Sequence, residues 1–352
     1  MMRIFKKILL CLLIFLLAFA GYLFIGKTEP APAKEITWGV NFSQKHTQNL
    51  GLDWKEVYLA LLDDLGTKNL KIAAHWDLIE PEKDKYYFDD LDWQIEEAEK
   101  REAKILLVIG MKTPRWPECH IPEWAKNLSK EEQQKEILEL LKKIVLRYGK
   151  NGLAPTPNFG VGAWQVENEP FFPFGDCPWV DKEFFKKEVA EVRSLDSKGR
   201  PVLIGENGES LWITAAKIGD VVGTTMYRKV WFSAPYFLKK YLGPFKDFGF
   251  YLQYPWPPTF YERKAKIIEK LFGKKVIGVE LQAEPWCPTL LYDCSLQEQQ
   301  KTMNLEQFRK NIEFAKKTGL KEFYLWGGEW WFWMKDKHNK PEIWEEARKL
   351  FI

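Results

Sequence analysis

From Ile36 to the end, the chain alternates short β-rich apolar segments with segments of helical periodicity. The eight apolar segments are ITWGVNF (36–42), NLKIAAH (69–75), KILLVIG (104–110), VGAWQVE (161–167), PVLIG (201–205), VVGTTMY (221–227), KVIGVE (275–280) and EFYLW (322–326). Alternation of this kind favours a parallel sheet, and eight strands are the number that closes a barrel. An open doubly wound sheet is the runner-up, but no dinucleotide-binding or P-loop glycine motif follows the first strand. The sequence therefore predicts an α/β fold, a single (β/α)8 TIM barrel over residues 36–352.

The N-terminal segment is apolar and uncharged from Ile8 to Gly26, after three positive charges. At the rise of a helix this run would span roughly 28 Å, about the thickness of the hydrocarbon layer. The charges that precede it predict that the barrel lies outside the cytoplasm. Residues 18–20 also match an A-x-A cleavage site, so residues 1–26 are either an uncleaved membrane anchor, which the length favours, or a removed signal peptide. A Pro-rich tether over residues 27–35 follows.

Four cysteines lie in the barrel segment: Cys119, Cys177, Cys287 and Cys294. An even number in an exported chain permits two disulfides, with three possible pairings. The short separation of Cys287 and Cys294 suits a loop staple, which would leave Cys119 and Cys177 to pair across two neighbouring loops. Free buried thiols are the alternative. No C-x-x-C pair or His doublet favours zinc, and we predict neither a metal nor another cofactor.

The net charge of +3 is spread along the chain and gives no electrostatic reason to predict a nucleic-acid partner. Aromatic residues make up 15% of the chain, which is typical of a large core and of surfaces that stack on sugar faces. Many of them lie in the longest irregular segment, from about Arg228 to Pro258. This aromatic segment is interpreted as a subsite wall or a hydrophobic cover, with contact to a membrane surface as a further alternative.

Polar residues follow the predicted strands at their carboxyl ends, where the active site of a (β/α)8 barrel forms. The fourth strand leads into Asn168 and Glu169, and the seventh ends in Glu280. Two carboxyls at this position match glycoside hydrolysis, in which one protonates the leaving oxygen and the other attacks the anomeric carbon. Because strands four and seven lie nearly opposite each other, we expect the two carboxyls to face each other at about 5 Å, the separation of a retaining enzyme.

Four stretches resemble the clan of retaining β-glycosidases with (β/α)8 barrels, which includes the cellulase-like family 5, xylanase family 10 and galactosidase family 42. The stretches are WQVENEP (164–170), VIGVELQAEPW (276–286), FYLWGGEWWFW (323–333) and the block between the second and third strands that contains W-x-x-I-E-P. They cover nearly the whole predicted barrel in the order of the clan. The resemblance implies an oligosaccharide, polysaccharide or other glycoside as substrate.

The resemblance also implies roles for individual residues. Glu280 is implied as the nucleophile, Glu169 as the general acid/base and Asn168 as the partner of the sugar 2-hydroxyl. Tyr227 falls where many members place a hydrogen-bond partner of the nucleophile, and Trp326 is similar to the Trp beneath the cleaved sugar. The other residues expected to contact substrate are His75, Trp76, Trp116, Trp286 and Glu329.

Two site assignments have local competitors in the sequence. Glu284 competes with Glu280 as the nucleophile if the seventh strand extends to residue 283. Glu167 competes with Glu169 as the acid, but it alternates with Gln165 and is expected to point into a polar layer or an ion pair.

The second strand departs from the clan, because it has Lys71 and His75 where many members have an Arg. His75 and His120 are interpreted as hydrogen-bonding residues near the pocket and not as metal ligands. Besides a retaining glycosidase, the residues would suit a transglycosylase with the same carboxyls, a non-catalytic extracytoplasmic glycan-binding barrel, or a scaffold held at a membrane. The sequence predicts no oligomeric state.

Overall fold

The structure is a computed structural model, and it describes residues 2–32, 35–149, 160–233 and 248–351. Its strands are β1 (Thr37–Asn41), β2 (Asn69–Ala73), β3 (Lys104–Ile109), β4 (Gly160–Val166), β5 (Val202–Glu206), β6 (Val221–Met226), β7 (Lys229–Ser233), β8 (Gly249–Gln253), β9 (Lys275–Gln282) and β10 (Glu322–Trp326). Eight of them form a closed parallel barrel in the order β1-β10-β9-β6-β5-β4-β3-β2. The predicted (β/α)8 TIM barrel is confirmed, and each of the eight predicted segments supplies one barrel strand.

The helices mostly lie between consecutive barrel strands, as the alternating pattern predicts. They are α1 (Met2–Phe24), α2 (Gln44–Asn49), α3 (Trp54–Asp63), α4 (Trp76–Ile79), α5 (Asp89–Lys100), α6 (Lys130–Gly149), α7 (Lys182–Leu195), α8 (Ile213–Ile218), α9 (Pro258–Phe272), α10 (Leu296–Gln299), α11 (Leu305–Lys316), α12 (Gly328–His338) and α13 (Glu342–Arg348). We call the side of the barrel formed by the carboxyl ends of its strands the upper face.

Two apolar layers stabilise the barrel. The larger one lies between the strands and the surrounding helices. The smaller one fills the barrel interior with Leu106, Leu203, Val221, Ile277, Val279 and Tyr324. Gly39 leaves room for the Tyr324 ring, because a Cβ at that position would lie 2.7 Å from the ring atom Cδ1. Above this apolar layer the interior becomes polar, which places charged side chains at the upper face.

A register shift in β9 determines which side chain faces the barrel interior. On β6, Thr224 pairs with Gly278 and the next residue, Thr225, pairs with Glu280, so Val279 is an extra residue. Such a bulge changes the direction of the residues that follow it. Simple alternation from Ile277 and Val279 would turn Glu280 away from the interior, whereas the bulge keeps it inside.

The segment between β6 and α9 contains a separate antiparallel hairpin, β7–β8. Residues 234–247 of the predicted aromatic segment lie outside the described residues. The side chain of Gln282 at the end of β9 holds the start of the hairpin, because its Oε1 accepts hydrogen bonds from the backbone N–H groups of Arg228 (2.8 Å) and Lys229 (2.9 Å). The first strand of the hairpin is therefore joined directly to the barrel.

Helix α1 is long and apolar enough to cross a membrane, by length and composition. Most of it is exposed, but Leu23 near its end is buried and the Phe24 ring lies 5.2 Å from that of Phe260 in α9. Beyond α1, the backbone N–H of Ala31 donates to the carbonyl of Lys316 (2.8 Å). The predicted tether thus runs along the barrel surface over its described part; residues 33 and 34 lie outside it.

Two disulfides join loops at the upper face. Cys119 pairs with Cys177, which links the loops after β3 and β4, and Cys287 pairs with Cys294 within the loop after β9. These are the two bridges that the loop-staple arrangement predicts. Cys11 in α1 is free and exposed.

Candidate active site

Glu280 lies inside the barrel at the upper face and accepts hydrogen bonds on both carboxylate oxygens. The ammonium of Lys71 on β2 donates to Oε1 at 2.8 Å, and the phenol of Tyr227 donates to Oε2 at 2.8 Å. Lys71 and Glu280 are both almost fully buried. Side chains from β2 and from the residue that follows β6 therefore fix the position of both oxygens of Glu280. The strand continues to Gln282, two residues beyond the predicted end, but the bulge still places Glu280 at the centre of the site.

Glu169 lies at the corner where the chain leaves β4, and its environment differs from that of Glu280. Its Oε1 accepts a hydrogen bond from the hydroxyl of Thr225 at 3.0 Å. Thr225 pairs with Glu280 across β6 and β9, so Glu169 hydrogen-bonds the residue next to Glu280 in the sheet. Burial, followed by the negative charge of Glu280, raises the pKa of Glu169 to about 8. At neutral pH Glu169 is therefore mostly protonated.

Glu167 joins the same corner to the end of β3, on the strand next to β4. Its two carboxylate oxygens accept hydrogen bonds from the backbone N–H groups of Met111 (2.8 Å) and Lys112 (2.5 Å) at the end of β3. Both Glu167 and Glu169 have positive φ, of 55° and 44°, a conformation that is unfavourable for residues other than glycine. Gly110 has a φ of 118°, and a Cβ on it would lie 2.8 Å from the Glu167 carboxyl carbon. Glu167 therefore points into a polar contact away from the acid position, as the alternation with Gln165 predicts.

Asn168 hydrogen-bonds Glu118, a residue that the sequence analysis does not identify. Its Nδ2 donates to Glu118 Oε2 at 3.0 Å, and its Oδ1 accepts from Gln165 Nε2 at 3.0 Å. Burial raises the pKa of Glu118 to about 7, although the charge of Lys112 opposes that rise. Glu118 is thus a third buried carboxyl at the site. The one sequence signal for it is its position beside Cys119, which the disulfide holds against the loop after β4.

Arg115 forms a buried ion cluster beside the three carboxyls. Its guanidinium hydrogen-bonds both oxygens of Glu284 and donates to Glu329 Oε2 at 3.0 Å. It also lies over the ring of Trp326, 4.0 Å from the centroid. Although burial alone would raise the pKa of Glu284, the charge of Arg115 and the side chain of His46 hold it at about 2. Glu284, the sequence competitor of Glu280, is therefore a structural ion-pair partner.

This cluster includes two of the residues that are expected to contact substrate, Trp326 and Glu329. Glu329 is completely buried, and its other oxygen accepts the backbone N–H of Ser43 at 2.7 Å. Trp326 is 7% exposed, and Arg115 covers a face of its ring. Both side chains form the wall beside the site, and Trp326 lines a small cavity together with Lys71 and Arg115. Substrate contact by Trp326 therefore stays a prediction, whereas the complete burial of Glu329 favours a structural role.

His75 and Trp76 are also away from the three carboxyls. Trp76 is fully buried, its Nε1 donates to Glu80 Oε2 at 2.9 Å, and its ring packs edge-to-face on Trp124. The His75 ring contacts Thr113 Oγ1 at 2.8 Å and lines a cavity of about 260 Å³ whose lining includes none of the three carboxyls. Substrate contact stays a prediction for His75, which lines this cavity, whereas Trp76 packs inside the protein between the loops after β2 and β3.

Trp116 and Trp286 belong to a row of aromatic rings that begins at the candidate nucleophile. The Trp286 ring lies 4.9 Å from that of Tyr227 and 5.8 Å from that of Phe174. The Phe174 ring in turn lies 6.4 Å from that of Trp116, which is 51% exposed. We call these four residues the aromatic row. It leads from Glu280 to solvent and presents the ring surfaces that favour sugar stacking.

The chemistry available at the site is that of carboxyl groups. Within the described ranges of the chain, no group of three or more His, Cys, Asp or Glu side chains is arranged to hold a metal ion. Of the three central carboxyls, Glu280 accepts hydrogen bonds from an ammonium and a phenol, whereas Glu169, with a pKa of about 8, retains its proton at neutral pH. Glu169 and Glu280 thus differ in their surroundings, and both lie beside Thr225, the one by a hydrogen bond and the other by strand pairing.

Replacing Arg115 by Met should destabilise the fold by about 3–5 kcal/mol at pH 7, because it leaves two buried carboxylates without their partner. Glu284 has a lowered pKa in the folded state, so its contribution is present above about pH 4.5 and is lost as the pH falls towards 2. The difference between wild type and R115M should therefore shrink over that range. Urea unfolding at several pH values measures it.

Lys45, which pairs with Asp77 nearer the surface, supplies the matched control. K45M should change the free energy of unfolding by less than about 1 kcal/mol. An R115M protein as stable as K45M would contradict the assignment of Arg115 as the partner on which the wall depends.

Comparison with known proteins gives a fold and no closer relationship. No protein-family model and no curated protein matches the sequence. Among solved structures, an endo-β-1,4-xylanase of glycoside hydrolase family 10 from Gloeophyllum trabeum matches with a TM-score of 0.54 and 13% identity, over 91% of this chain and 98% of that one. A GH5_18 protein from Bifidobacterium longum subsp. infantis matches with a TM-score of 0.54 and 13% identity, over 83% of this chain and 69% of that one.

A β-galactosidase from the haloarchaeon Halorubrum lacusprofundi matches with a TM-score of 0.50 and 14% identity, over 83% of this chain and 52% of that one. The chain thus spans about half the length of the haloarchaeal enzyme. At such identities a match shows a shared fold. The chain has the (β/α)8-barrel fold of glycoside hydrolases of families 5 and 10 and of β-galactosidases.

Proposed function

We propose that the protein is a retaining β-glycosidase in which Glu280 is the nucleophile and Glu169 the general acid/base. The observation that supports this most strongly is the contrast between the two carboxyls. Glu280 accepts hydrogen bonds from Lys71 and Tyr227, whereas Glu169 is buried with a pKa of about 8 and has one hydroxyl partner. Two carboxyls whose protonation states are set apart by their surroundings are what acid and nucleophile roles require.

The position of Thr225 supports the retaining geometry over the inverting one. Its hydroxyl donates to Glu169, and its Cα pairs with that of Glu280 on the neighbouring strand. Adjacent strands lie about 4.8 Å apart, so Glu169 reaches a side chain on the strand next to that of Glu280. Retaining enzymes place their carboxyls about 5 Å apart, whereas inverting enzymes separate them by about 6.5–9.5 Å to accommodate a water molecule.

The reaction follows from these protonation states. Glu280 attacks the anomeric carbon while Glu169 transfers its proton to the departing oxygen, giving a covalent glycosyl-enzyme. Bond formation removes the charge from Glu280, which had raised the pKa of Glu169, and Glu169 itself is now an anion. It can then take a proton from the water that attacks the anomeric carbon, so that the second step releases the sugar and regenerates the Glu280 carboxylate.

Asn168 and Glu118 form the proposed contact to the sugar beside its reacting carbon. Their mutual hydrogen bond joins a donor to an acceptor, and a hydroxyl group can both accept from the amide and donate to the carboxylate. A bound 2-hydroxyl would therefore insert between the two side chains. The aromatic row, with Trp286 and Trp116, supplies the surface for the leaving part of the glycoside.

We further propose that the barrel works outside the cytoplasm, attached to a membrane by α1. Two disulfides are typical of exported proteins, and the positive charges before the apolar helix favour retention of its N-terminus inside the cell. The packing of Leu23 and Phe24 against the barrel supports an uncleaved helix over a removed signal peptide, since cleavage after residue 20 would separate α1 from its last turn.

Trapping with 2-deoxy-2-fluoro-β-glycosides that have activated leaving groups tests the nucleophile. The full-length protein in detergent should gain the mass of one fluorosugar on the peptide that contains Glu280, and E280Q should gain none. E169Q should still be labelled, because an activated leaving group needs no proton, but its turnover of an unactivated glycoside should fall by about 10²–10⁴-fold. Intact-mass measurement and peptide mapping give the result.

An adduct on Glu284 or Glu118 would move the nucleophile to that residue. A folded protein that binds glycans but forms no adduct with any sugar of the panel would be a non-catalytic glycan-binding barrel, and the proposed reaction would be wrong.

The pH profile of kcat/KM tests the role of Glu169. Because Glu169 must donate a proton, activity should fall as the pH rises through about 8. The Thr225 hydroxyl stabilises the charged form of Glu169, so T225V should raise its pKa and move the alkaline limb upwards. A hydrogen bond of about 1 kcal/mol corresponds to about 0.7 pH units.

T224V is the matched control, since the Thr224 hydroxyl donates to a backbone carbonyl and not to Glu169. Its alkaline limb should coincide with that of the wild type. If the alkaline limb of kcat/KM for T225V lies at the same pH as in the wild type or at a lower pH, Glu169 does not set that limb.

A further inference from the structure

Exposed large apolar side chains are concentrated at the upper face of the barrel. Beyond residue 25, those in the described ranges lie in the segments that connect a barrel strand to the next helix of the outer layer, except Leu146 in α6, Ile213 at the start of α8 and Leu271 near the end of α9. The most exposed positions at the upper face include Trp116, Leu211, Phe232, Phe248 and Phe250. Single exposed apolar residues are ordinary, but their concentration on one side indicates an interaction surface.

Three of these residues form a cluster on the β7–β8 hairpin, which we call the phenylalanine cluster. Phe232 and Phe250 are directly opposite each other in the hairpin, with ring centroids 5.6 Å apart, and the Phe248 ring lies 6.2 Å from that of Phe250. Their side chains are 42%, 44% and 65% exposed. Phenylalanine has no polar group with which to hydrogen-bond a sugar, unlike the Trp and Tyr residues of the aromatic row. The cluster therefore fits an apolar partner better than a glycan.

Helix α1 meets the barrel at the rim of the same face. The Phe24 ring lies 5.6 Å from that of Trp256 and 5.2 Å from that of Phe260, just before and within the first turn of α9. The neighbouring Lys264 donates to the carbonyl of Gly208 at 2.6 Å, and Gly208 belongs to the loop after β5. That contact places the start of α9, and with it the end of α1, beside the upper-face loops.

We propose that the upper face of the barrel lies against the membrane that holds α1, with the phenylalanine cluster inserted into the bilayer interface. Two independent features meet in this orientation: the apolar side chains of the upper face, and the attachment of an apolar helix of membrane-spanning length at its rim. Aromatic and aliphatic side chains on one face of a peripheral protein bind a bilayer by burying their apolar area at the headgroup boundary.

This orientation also names a substrate class, and that step rests on the proposed glycosidase function. An active site that opens towards the bilayer receives the head groups of membrane lipids and is screened from long polymers in solution. The aromatic row then leads from Glu280 towards the membrane, with the exposed Trp116 at its outer end. The substrate is therefore a β-glycoside attached to a lipid of that membrane.

Lipid-dependent quenching tests the orientation without any need for catalysis. In the full-length chain with Cys11 replaced by Ser, F248C and L271C are labelled in parallel with a fluorescent maleimide. Phe248 and Leu271 are matched in exposure, at 65% and 66%. Phe248 lies at the upper face, whereas Leu271 lies near the end of α9. The proteins are reconstituted into phosphatidylcholine vesicles with brominated acyl chains, and F250C provides a second upper-face position.

Labels at residues 248 and 250 should be quenched at least twofold more than the label at residue 271. Equal quenching at all three positions, or quenching at residue 271 alone, would overturn the orientation. The same measurement on E169Q should give the same pattern, because that substitution removes the proposed acid and not the membrane contact.

Activity on a membrane-embedded glycoside tests the substrate class. The sugar that labels Glu280 is supplied as a dodecyl β-glycoside in phosphatidylcholine vesicles and as the methyl β-glycoside in solution. The double variant F248S/F250S should lose about tenfold in kcat/KM on the vesicle-borne substrate and keep its activity on the soluble one. Equal effects on both substrates, or none on either, would overturn the substrate class. Upper-face quenching in a protein that forms no fluorosugar adduct would leave the orientation standing and reject the glycosidase.

Discussion

The buried ion pair between Lys71 and Glu280 is the interaction on which the organisation of the site depends. It joins β2 to β9 inside the barrel, three positions apart in the strand order. A buried ion pair contributes little net stability, because desolvation offsets most of the attraction, but removing one partner is strongly destabilising. The pair is therefore better understood as a constraint on the position of the Glu280 carboxyl group than as a source of stability. Burial and the negative charge of Glu280 together raise the pKa of Glu169, and thereby set the proton for the proposed reaction.

The loop after β3 determines how much of the upper face stays open to a ligand. Arg115 from this loop covers Trp326 and holds two carboxylates, while Glu118 reaches Asn168 from the same loop. Both residues have positive φ, of 83° and 71°, so the loop is held in an unfavourable backbone conformation by its contacts. The disulfide from Cys119 ties it to the loop after β4. The proposed subsite is consequently bounded on this side by a loop whose backbone and side chains are held in place.

Sequence reasoning predicts the barrel well because each strand is a short β-rich segment followed by a polar or aromatic end. That pattern locates Glu169 and Glu280, since the carboxyl ends of parallel strands meet at one face. It does not reveal the bulge at Val279, because an extra residue in one strand appears only when its partners are known. Nor does it reveal Glu118, which lies in an irregular loop without periodicity. The same limit applies to Arg115, whose ion cluster depends on contacts between distant loops that no local pattern encodes.

The closure of the barrel by β1 and β10 has a consequence for how the protein matures. Thr37 pairs with Glu322, so the first and last barrel strands become neighbours only after almost the entire chain has been synthesised. Until then the growing sheet has two unpaired edges, which are sites for association with other chains. An anchored N-terminus restricts the unfinished chain to a surface and keeps its first strand close to the bilayer. Under the proposed topology, the same helix that orients the finished barrel would serve earlier as a fixed starting point for its assembly.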